Sequence, residues 1–296
     1  MRLNFLLPGV STILMVFTGT AYGEWFLDTS VALQYNDNLP NASLDQDIKD
    51  DTAFEFSLSP GYHSQLSGYT GLTVSADLGV TRQLDYNGLD NIAAGVNAGL
   101  RRKFGLGLYA PWARISGSAR YHGYDDGQRD GWLFTASVDG GKLLTDRLSI
   151  QLGYRYESRR TNESVHIPAL VANFGIRGDA FDTDAHNLSL NGMYQINQRL
   201  SLVLGYTFRT GEITSTTLRN NEIFEASDAI SVDPVYGPDR FAYRISADTN
   251  IFSAGVSLAI TNRMSFNVSY AYRDSDAYED LSYSNNLVRV ALLYNY

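Results

Sequence analysis

The most informative absence from this 296-residue sequence is cysteine, since the chain contains none. Without cysteine there is no disulfide scaffold, no thiolate nucleophile and no zinc–thiolate or iron–sulfur site. Basic residues are also few: 23 lysines and arginines face 32 acidic residues, which leaves a formal net charge of −9. A chain with this charge has no general attraction for phosphate backbones, so we do not expect nucleic acid among its partners.

Long hydrophobic runs are missing as well. Beyond the N-terminus, no apolar run approaches the roughly 18 residues of a transmembrane helix. The first residues hold one short apolar segment, residues 5–17, which follows Arg2 and ends before small residues that lead to Gly23. This pattern predicts a secretory signal peptide over residues 1–23 and a mature domain over residues 24–296. An N-terminal membrane anchor is the alternative, which the shortness of the run disfavours.

What the mature chain has instead is alternation of apolar and polar residues. In residues 72–80, for example, Leu72, Val74 and Leu78 share one face while Ser75 and Asp77 share the other. This period of two is typical of half-buried β-strands. The segments that show it are 27–35, 54–58, 72–80, 92–102, 113–121, 132–140, 148–156, 188–196, 200–208, 252–260, 266–272 and 288–296. The pattern predicts an all-β chain of about twelve strands.

The connections between these segments alternate between short and long. Short turns are expected near 64–70, 103–107, 145–147, 197–199 and 261–263, and long polar loops near 37–50, 124–131, 159–184, 211–240 and 274–282. Three of the short turns end in an arginine that is followed by a strand and a tyrosine, which makes a weak internal repeat at Arg147, Arg199 and Arg263. Short turns at one end and long loops at the other predict an antiparallel up-and-down barrel.

Alternation alone does not say which face of the barrel is inside. A soluble barrel buries its apolar face, whereas an outer-membrane barrel shows that face to lipid. Aromatic residues favour the second arrangement, because they cluster at strand ends where a membrane interface would lie. One predicted aromatic girdle contains Tyr154, Tyr156, Tyr206, Phe208, Tyr270 and Tyr272, and the opposite interface suits Trp25, Phe104 and Tyr296. The sequence therefore predicts a transmembrane β-barrel located in the cell outer membrane.

The last strand ends on an aromatic residue, Tyr296, after alternating apolar positions. Such an ending resembles the assembly signal of Gram-negative outer-membrane barrels. A narrower resemblance lies near the start, where residues 31–38 (VALQYNDN) precede an acidic loop and residues 56–61 (FSLSPG). This opening resembles that of a family of β-barrel porins, some of which accompany exopolysaccharide export; Leu39 departs mildly from the Ile or Val found there in many members. The resemblance implies a porin-like protein with no established catalytic residues.

Charged residues on the predicted polar face are the main candidates for function. The basic set is Arg114, Arg120, Arg155, Arg159, Arg209, Arg273 and Arg289, and the acidic set is Glu55, Asp77, Asp85, Asp139 and Glu157. A charge in a dry interior costs several kcal/mol unless it is paired, so this many charges imply a wet lumen or internal ion pairs. The first reading is a channel for small or acidic solutes, and the second is a braced, closed barrel.

Catalytic and metal sites have weak support. The four histidines are His63, His122, His166 and His186, and we interpret them as polar residues of the rims. An acidic loop holds Asp45, Asp47, Asp50 and Asp51, which we interpret as solvated surface rather than a divalent-cation site. The sequence has no phosphate-binding loop and no metal-binding motif, and we expect no cofactor, no metal and no enzyme activity.

The prediction from sequence is an outer-membrane porin-like channel, with a link to polysaccharide export implied by the resemblance. The alternatives are a barrel hydrolase acting on lipid or peptide, and a structural or adhesive barrel whose loops at 159–184 and 211–240 carry the function. The expected partners are outer-membrane lipid and lipopolysaccharide, the barrel assembly machinery and polysaccharide export components. A hydrolase needs a histidine beside a serine or aspartate at the outer rim, and a channel needs an open lumen.

Overall fold

The computed structural model describes residues 23–277 and 281–296, together with the backbone of Leu3–Leu7 and Val10–Leu14. These two N-terminal segments form a small antiparallel pair of their own, separate from the main sheet. Most of the predicted signal peptide, residues 1–23, lies outside the described residues. Its cleavage therefore stays a prediction.

Twelve long strands form a closed barrel in the described part of the chain. They are β1 (Glu24–Asn36), β2 (Asp51–Ser67), β3 (Thr70–Gln83), β4 (Asn91–Lys103), β5 (Trp112–Tyr124), β6 (Gly131–Leu143), β7 (Leu148–Thr161), β8 (Thr183–Gln195), β9 (Leu200–Leu218), β10 (Arg240–Ala259), β11 (Met264–Ala277) and β12 (Ser282–Asn295). Each pairs antiparallel with the next along the chain, and β12 pairs with β1. The predicted twelve-strand, up-and-down transmembrane barrel is confirmed.

The connections differ in length at the two ends of the barrel, as the sequence predicts. Both ends of the barrel domain lie with the short turns, where Leu27 and Tyr296 exchange backbone hydrogen bonds of 3.2 and 2.9 Å. The long loops lie at the other end, which we call the outer end because outer-membrane barrels carry their long loops outside the cell. These loops contain two short helices, α1 (Pro168–Phe174) and α2 (Asn221–Glu225), and a four-residue strand, Ala229–Val232, that pairs with the start of β10.

The apolar face of the strands points away from the lumen. Along β5, Ile115 is 63% exposed on the outside, and the outer face of β9 likewise presents Leu204 and Tyr206. The inner face is small and polar, since Ser257 on β10 is fully buried and Ser30 on β1 bonds Ser57 on β2 at 2.6 Å. An exposed band of apolar side chains around a polar interior requires lipid outside, which confirms the inside–outside assignment.

A proline–glycine pair, Pro60-Gly61, lies inside β2 without ending it. Proline has no N–H to donate, and pairing with β3 is interrupted between Leu58 and Gly61. The strand continues because its pairing with β1 is unbroken there, with Gly61 opposite Phe26. A Cβ atom at Gly61 would lie 2.2 Å from the Phe26 ring, so only glycine leaves room for that inward aromatic side chain.

Candidate functional site

The charged residues predicted for the polar face lie on the inner side of the barrel wall. Two pairs form across one intervening strand: Arg120 on β5 lies 3.6 Å from Asp77 on β3, and the Arg289 Nη2 on β12 lies 3.1 Å from a Glu55 oxygen on β2. Arg114 stands opposite Asp139 in the pairing of β5 with β6. Bracing ion pairs and excess positive charge therefore coexist in this lumen. The predicted charged residues that lie on the inner face of the barrel are Arg114, Arg120, Arg155, Arg159, Arg209, Arg273, Arg289, Glu55, Asp77, Asp139 and Glu157.

Two corrections to the charge set come from the structure. Asp85 does not lie on the inner wall, because it belongs to the loop at 84–90, where its amide donates to the Asp51 carboxylate at 3.2 Å. Arg101 and Lys103, which the predicted set omits, share the inner face of β4, and the Arg101 guanidinium stacks 4.7 Å from the Trp112 ring centre. The sequence could have indicated these two residues, because the apolar Ile92, Val96 and Leu100 mark the outer face of β4 and the residues that alternate with them therefore face inward.

A chamber of about 390 Å³ lies in the outer half of the lumen. Its wall is formed by β7 to β12, and its charged lining consists of Arg159, Arg209, Arg273, Glu157, Glu212 and Arg129. The remaining lining is largely hydroxyl and amide side chains, with an apolar patch from Ile213, Ile251 and Phe181. Small molecules bind in concave sites where polar groups converge, and this chamber is such a site with a lining more polar than most.

Two of the chamber arginines have unused donor groups. The Arg209 Nη2 donates to the backbone oxygen of Glu212 at 2.7 Å, while its Nη1 is buried without a hydrogen-bond partner among the described residues. The Nε of Arg273 is buried and unpartnered in the same sense. Arg155, another member of the predicted basic set, does not line the chamber and instead lies 3.6 Å from Glu157.

The outer loops fold over the chamber and contact each other, forming a layer that we call the cap: the loops at 37–50, 84–90, 125–130, 162–182 and 219–239. Asn38 donates to the backbone oxygens of Ala42 and Ser284, at 2.8 and 3.0 Å. The Asp47 carboxylate accepts hydrogen bonds from Thr217 and Arg240. The roof of the chamber is thus built from residues far apart in sequence.

Arg129 is the central charge of the cap. Its guanidinium pairs with Asp126 and, at 2.7 Å, with the fully buried Asp233, and it lies 4.3 Å from the centre of the Phe181 ring. Burial alone would lower the pKa of Arg129, but Asp233 and the other neighbouring charges outweigh burial and raise it. Burial also raises the pKa of Tyr236, which lines the chamber beneath this cluster. Arg129 therefore stays positively charged, and the carboxylates of Asp126 and Asp233 neutralise that charge.

The cap also has a hydrophobic core of its own. Ile223, Ile230, Tyr243 and Ile245 are almost fully buried and pack with Leu281 and Tyr283. The residues come from the loop at 219–239, from the outer part of β10 and from the chain around the start of β12. Such packing makes the cap an ordered layer rather than a set of loose loops.

The predicted outer girdle residues all lie on the lipid-facing side of their strands. Four of their five tyrosine hydroxyls bond polar groups at the outer end; for example, Tyr206 donates to Asn250 at 2.7 Å and Tyr270 donates to Asn286 at 2.6 Å. Tyrosine in this position has its ring in the apolar zone and its hydroxyl at the polar boundary. At the other end, Tyr296 lies 5.0 Å from the Arg263 guanidinium. The set predicted for the outer girdle is Tyr154, Tyr156, Tyr206, Phe208, Tyr270 and Tyr272.

The two histidines of the outer half lack the partners of a hydrolase within the described residues. Both ring nitrogens of His122 are buried without a hydrogen-bond partner, and its ring stacks 6.1 Å from that of Tyr124. His186 faces lipid, and its Nδ1 shares a hydrogen bond of 2.8 Å with the Tyr154 hydroxyl. A general base needs a nucleophile or water within reach, and neither histidine is joined to a serine or an aspartate.

The remaining candidates have structural partners. His63 bonds the Thr73 hydroxyl at 3.0 Å, and His166 accepts from the amide of Gly178 at 3.0 Å. In the acidic loop, Asp47 accepts from Thr217 and Arg240, while Asp51 accepts from the amides of Thr52 and Tyr86. Over the described residues, no group of three or more histidine or acidic side chains is placed to hold a metal ion.

Together these features define the class of protein: a closed antiparallel barrel with an apolar outer band, interfacial tyrosines and a charged lumen is an outer-membrane β-barrel. The predicted outer-membrane location is therefore confirmed. In the described ranges, no helix combines the length and apolar character needed to cross a membrane.

Solved structures of the same fold agree with this class. The chain is similar to an outer-membrane channel from Pseudomonas putida F1, with 11% identity, coverage of 95% of this chain and 100% of that chain, and a TM-score of 0.58. It is also similar to the NanC porin (13% identity, coverage 90% and 98%, TM-score 0.49) and to the outer-membrane channel DcaP of Acinetobacter baumannii (10% identity, coverage 96% and 100%, TM-score 0.40). The first of these likenesses supports the fold.

The sequence matches no protein-family model and no curated protein. The resemblance of residues 31–38 to the export-associated porins therefore stays a prediction.

Proposed function

We propose that this barrel is a porin-like outer-membrane channel that favours small acidic solutes. The observation that carries the proposal is the unmatched positive charge of the chamber. On its wall, the three arginines Arg159, Arg209 and Arg273 face only two glutamates, Glu157 and Glu212. Arg129 in the cap adds no positive charge, because it is paired with two acids of the cap. In a confined lumen the field of a fixed charge is less screened than at an open surface. The wall thus attracts anions although the whole chain carries −9.

A second candidate is a structural or adhesive barrel whose loops carry the function. The packed core of the cap favours it, because an ordered outer layer offers a stable surface to another macromolecule. The hydrolase alternative has no comparable support in the geometry of His122 and His186. Contacts with lipopolysaccharide, with the assembly machinery and with polysaccharide export components remain predictions.

Ion selectivity in planar bilayers tests the channel proposal. We expect the reversal potential across a salt gradient to show anion preference in the unmodified protein. The double variant Arg209→Gln/Arg273→Gln should shift that potential towards cations. The matched control is Arg147→Gln/Arg199→Gln, which removes the same charge from exposed short turns and should leave the potential unchanged.

Two results would count against the proposal. A cation-selective pore, or a potential that the lumen variant leaves unchanged, would contradict the role of the chamber charge. A correctly folded barrel without any conductance would favour the second candidate, in which the loops carry the function.

A further inference from the structure

We propose that Arg209 and Arg273 form a binding site for the single carboxylate of a ligand about the size of one sugar ring. The inference rests on the proposed function, because the ligand must reach the chamber, and it adds the chemistry that the chamber recognises. Arg209 lies on β9 and Arg273 on β11, with β10 between them. Arg209 lies opposite Thr249 on β10, and Arg273 lies opposite Ile251, two residues further along. Two strand spacings across the sheet and two residues along it amount to about 12 Å between their backbones, which two arginine side chains can span with one anion between their guanidinium groups.

The unused donors of these two side chains are the first argument. A buried donor without a partner costs about 1–3 kcal/mol, and more when the group is charged. The unpartnered atoms, Arg209 Nη1 and Arg273 Nε, belong to side chains that line the same chamber. A carboxylate accepts two parallel N–H donors from a guanidinium, so one ligand group can satisfy donors from both arginines.

The charge of the wall favours a ligand with a single negative charge. Three arginines face two glutamates on the chamber wall, which leaves one positive charge unmatched. Both glutamates are held by other arginines: Glu157 lies 3.6 Å from Arg155, and Glu212 lies 3.5 Å from Arg244. These ion pairs restrain the glutamates from moving away when an anionic ligand binds in the chamber. A dianion such as a phosphate monoester doubles both its attraction to the arginines and its repulsion from the two carboxylates, whereas the cost of desolvating it rises with the square of its charge, so a monoanion is favoured.

The rest of the lining matches hydroxyl groups. Asn187, Thr207 and Ser253 offer donors and acceptors around the arginines, and Ile251 supplies an apolar surface between them. Asn285 adds its amide oxygen as an acceptor, because its amide nitrogen already donates to Asn38 and Asn41. The volume of about 390 Å³ lies at the small end of the usual range of about 300–1,000 Å³ for ligand pockets. A ring with several hydroxyls and one carboxylate, that is a sugar acid, fits this chemistry and size, whereas a long polymer chain does not.

Calorimetric titration of the purified full-length barrel in detergent tests the site, with D-glucuronate as the probe and with D-glucose and inorganic phosphate as comparisons. We expect glucuronate to bind about tenfold or more tightly than glucose, since the charge-assisted bonds are worth over 1.4 kcal/mol. Arg209→Gln and Arg273→Gln should each weaken glucuronate binding by a similar factor. The control is Arg114→Gln, which removes one inward charge outside the chamber and should bind normally.

Heat-modifiable migration in gels shows for each variant that the barrel is folded. Equal affinity for glucose and glucuronate, or unchanged binding in both chamber variants, would overturn the proposal. Phosphate binding more tightly than glucuronate would overturn the assignment to sugar acids and leave a general anion site. Anion-selective conductance without glucuronate binding refutes only this site, and glucuronate binding without conductance refutes only the channel.

Discussion

Adjacent residues of β7 offer a direct test of which face of the barrel meets lipid. Leu152 points outward and is 56% exposed, whereas Gln151 points inward, with its amide nitrogen 3.5 Å from the Asp139 carboxylate. Leu152 lies four residues into β7, which at about 3.3 Å per residue and about 40° of tilt is roughly 10 Å along the membrane normal. In an apolar band about 25 Å tall, that depth is near the middle.

A lysine at these two positions should have opposite consequences. Leu152→Lys places a charge near the bilayer centre and should cost about 2–4 kcal/mol, which is about a 30- to 1,000-fold change in the folding equilibrium constant. Gln151→Lys places the same charge in the lumen beside the Asp139 carboxylate, where we expect a cost below about 1 kcal/mol. The two residues are adjacent in sequence, but Leu152 faces lipid and Gln151 faces the lumen.

The measurement is equilibrium folding into liposomes across a urea gradient, followed by the gel shift of the folded barrel. Leu152→Gln is a control that removes the apolar side chain without adding charge, so the difference between Leu152→Lys and Leu152→Gln isolates the charge. Equal destabilisation by Leu152→Lys and Gln151→Lys would refute the assignment of faces, and with it the lumen.

Two further predictions concern the end of the chain and the cap. Replacing Tyr296 by Ser removes an interfacial ring that lies beside Arg263, and should reduce the amount of heat-modifiable barrel in the outer membrane, while Tyr296→Phe should not; normal amounts of the Ser variant would contradict an assembly role. Asp233→Asn removes one acid from the buried Arg129, and should make the cap loops markedly more sensitive to trypsin while the barrel stays folded. The exposed Asp228→Asn is the control in the same loop, and equal protease resistance of both variants would count against the cap being held by Arg129.

The strands could be predicted from sequence because lipid and lumen impose opposite demands on alternate residues. Every segment named from alternation falls within or overlaps a strand, as residues 148–156 do within β7. The prediction fails where a strand extends beyond the membrane, because its alternate residues no longer face lipid and lumen. The outer part of β9 was predicted as loop, because Thr214 to Thr217 show no alternation; the cap covers that part of the strand, so both of its faces can be polar.

The chamber was much harder to predict than the wall. The inward arginines follow from strand register, but the lining also includes Arg129 and Phe181, which come from loops without any periodic pattern. The pairing of Arg129 with Asp233 joins residues 104 positions apart. No local rule connects such residues, so the sequence could indicate the charges of the lumen but not that loops enclose part of it.

The length of the β9–β10 hairpin has a consequence for what other cells and molecules meet at the bacterial surface. The two strands stay paired up to Leu218 and Arg240, ten residues past the girdle residue Phe208. At the same rise and tilt, those ten residues extend about 25 Å beyond the apolar band. An antibody or a phage approaching the cell therefore touches this projecting hairpin and its loop before it touches any lipid-facing strand. No bilayer constrains the sequence there, but Thr217, Tyr243 and Ile245 are buried in the cap, so we expect divergence under immune or phage pressure at the exposed residues of the loop and not at these positions.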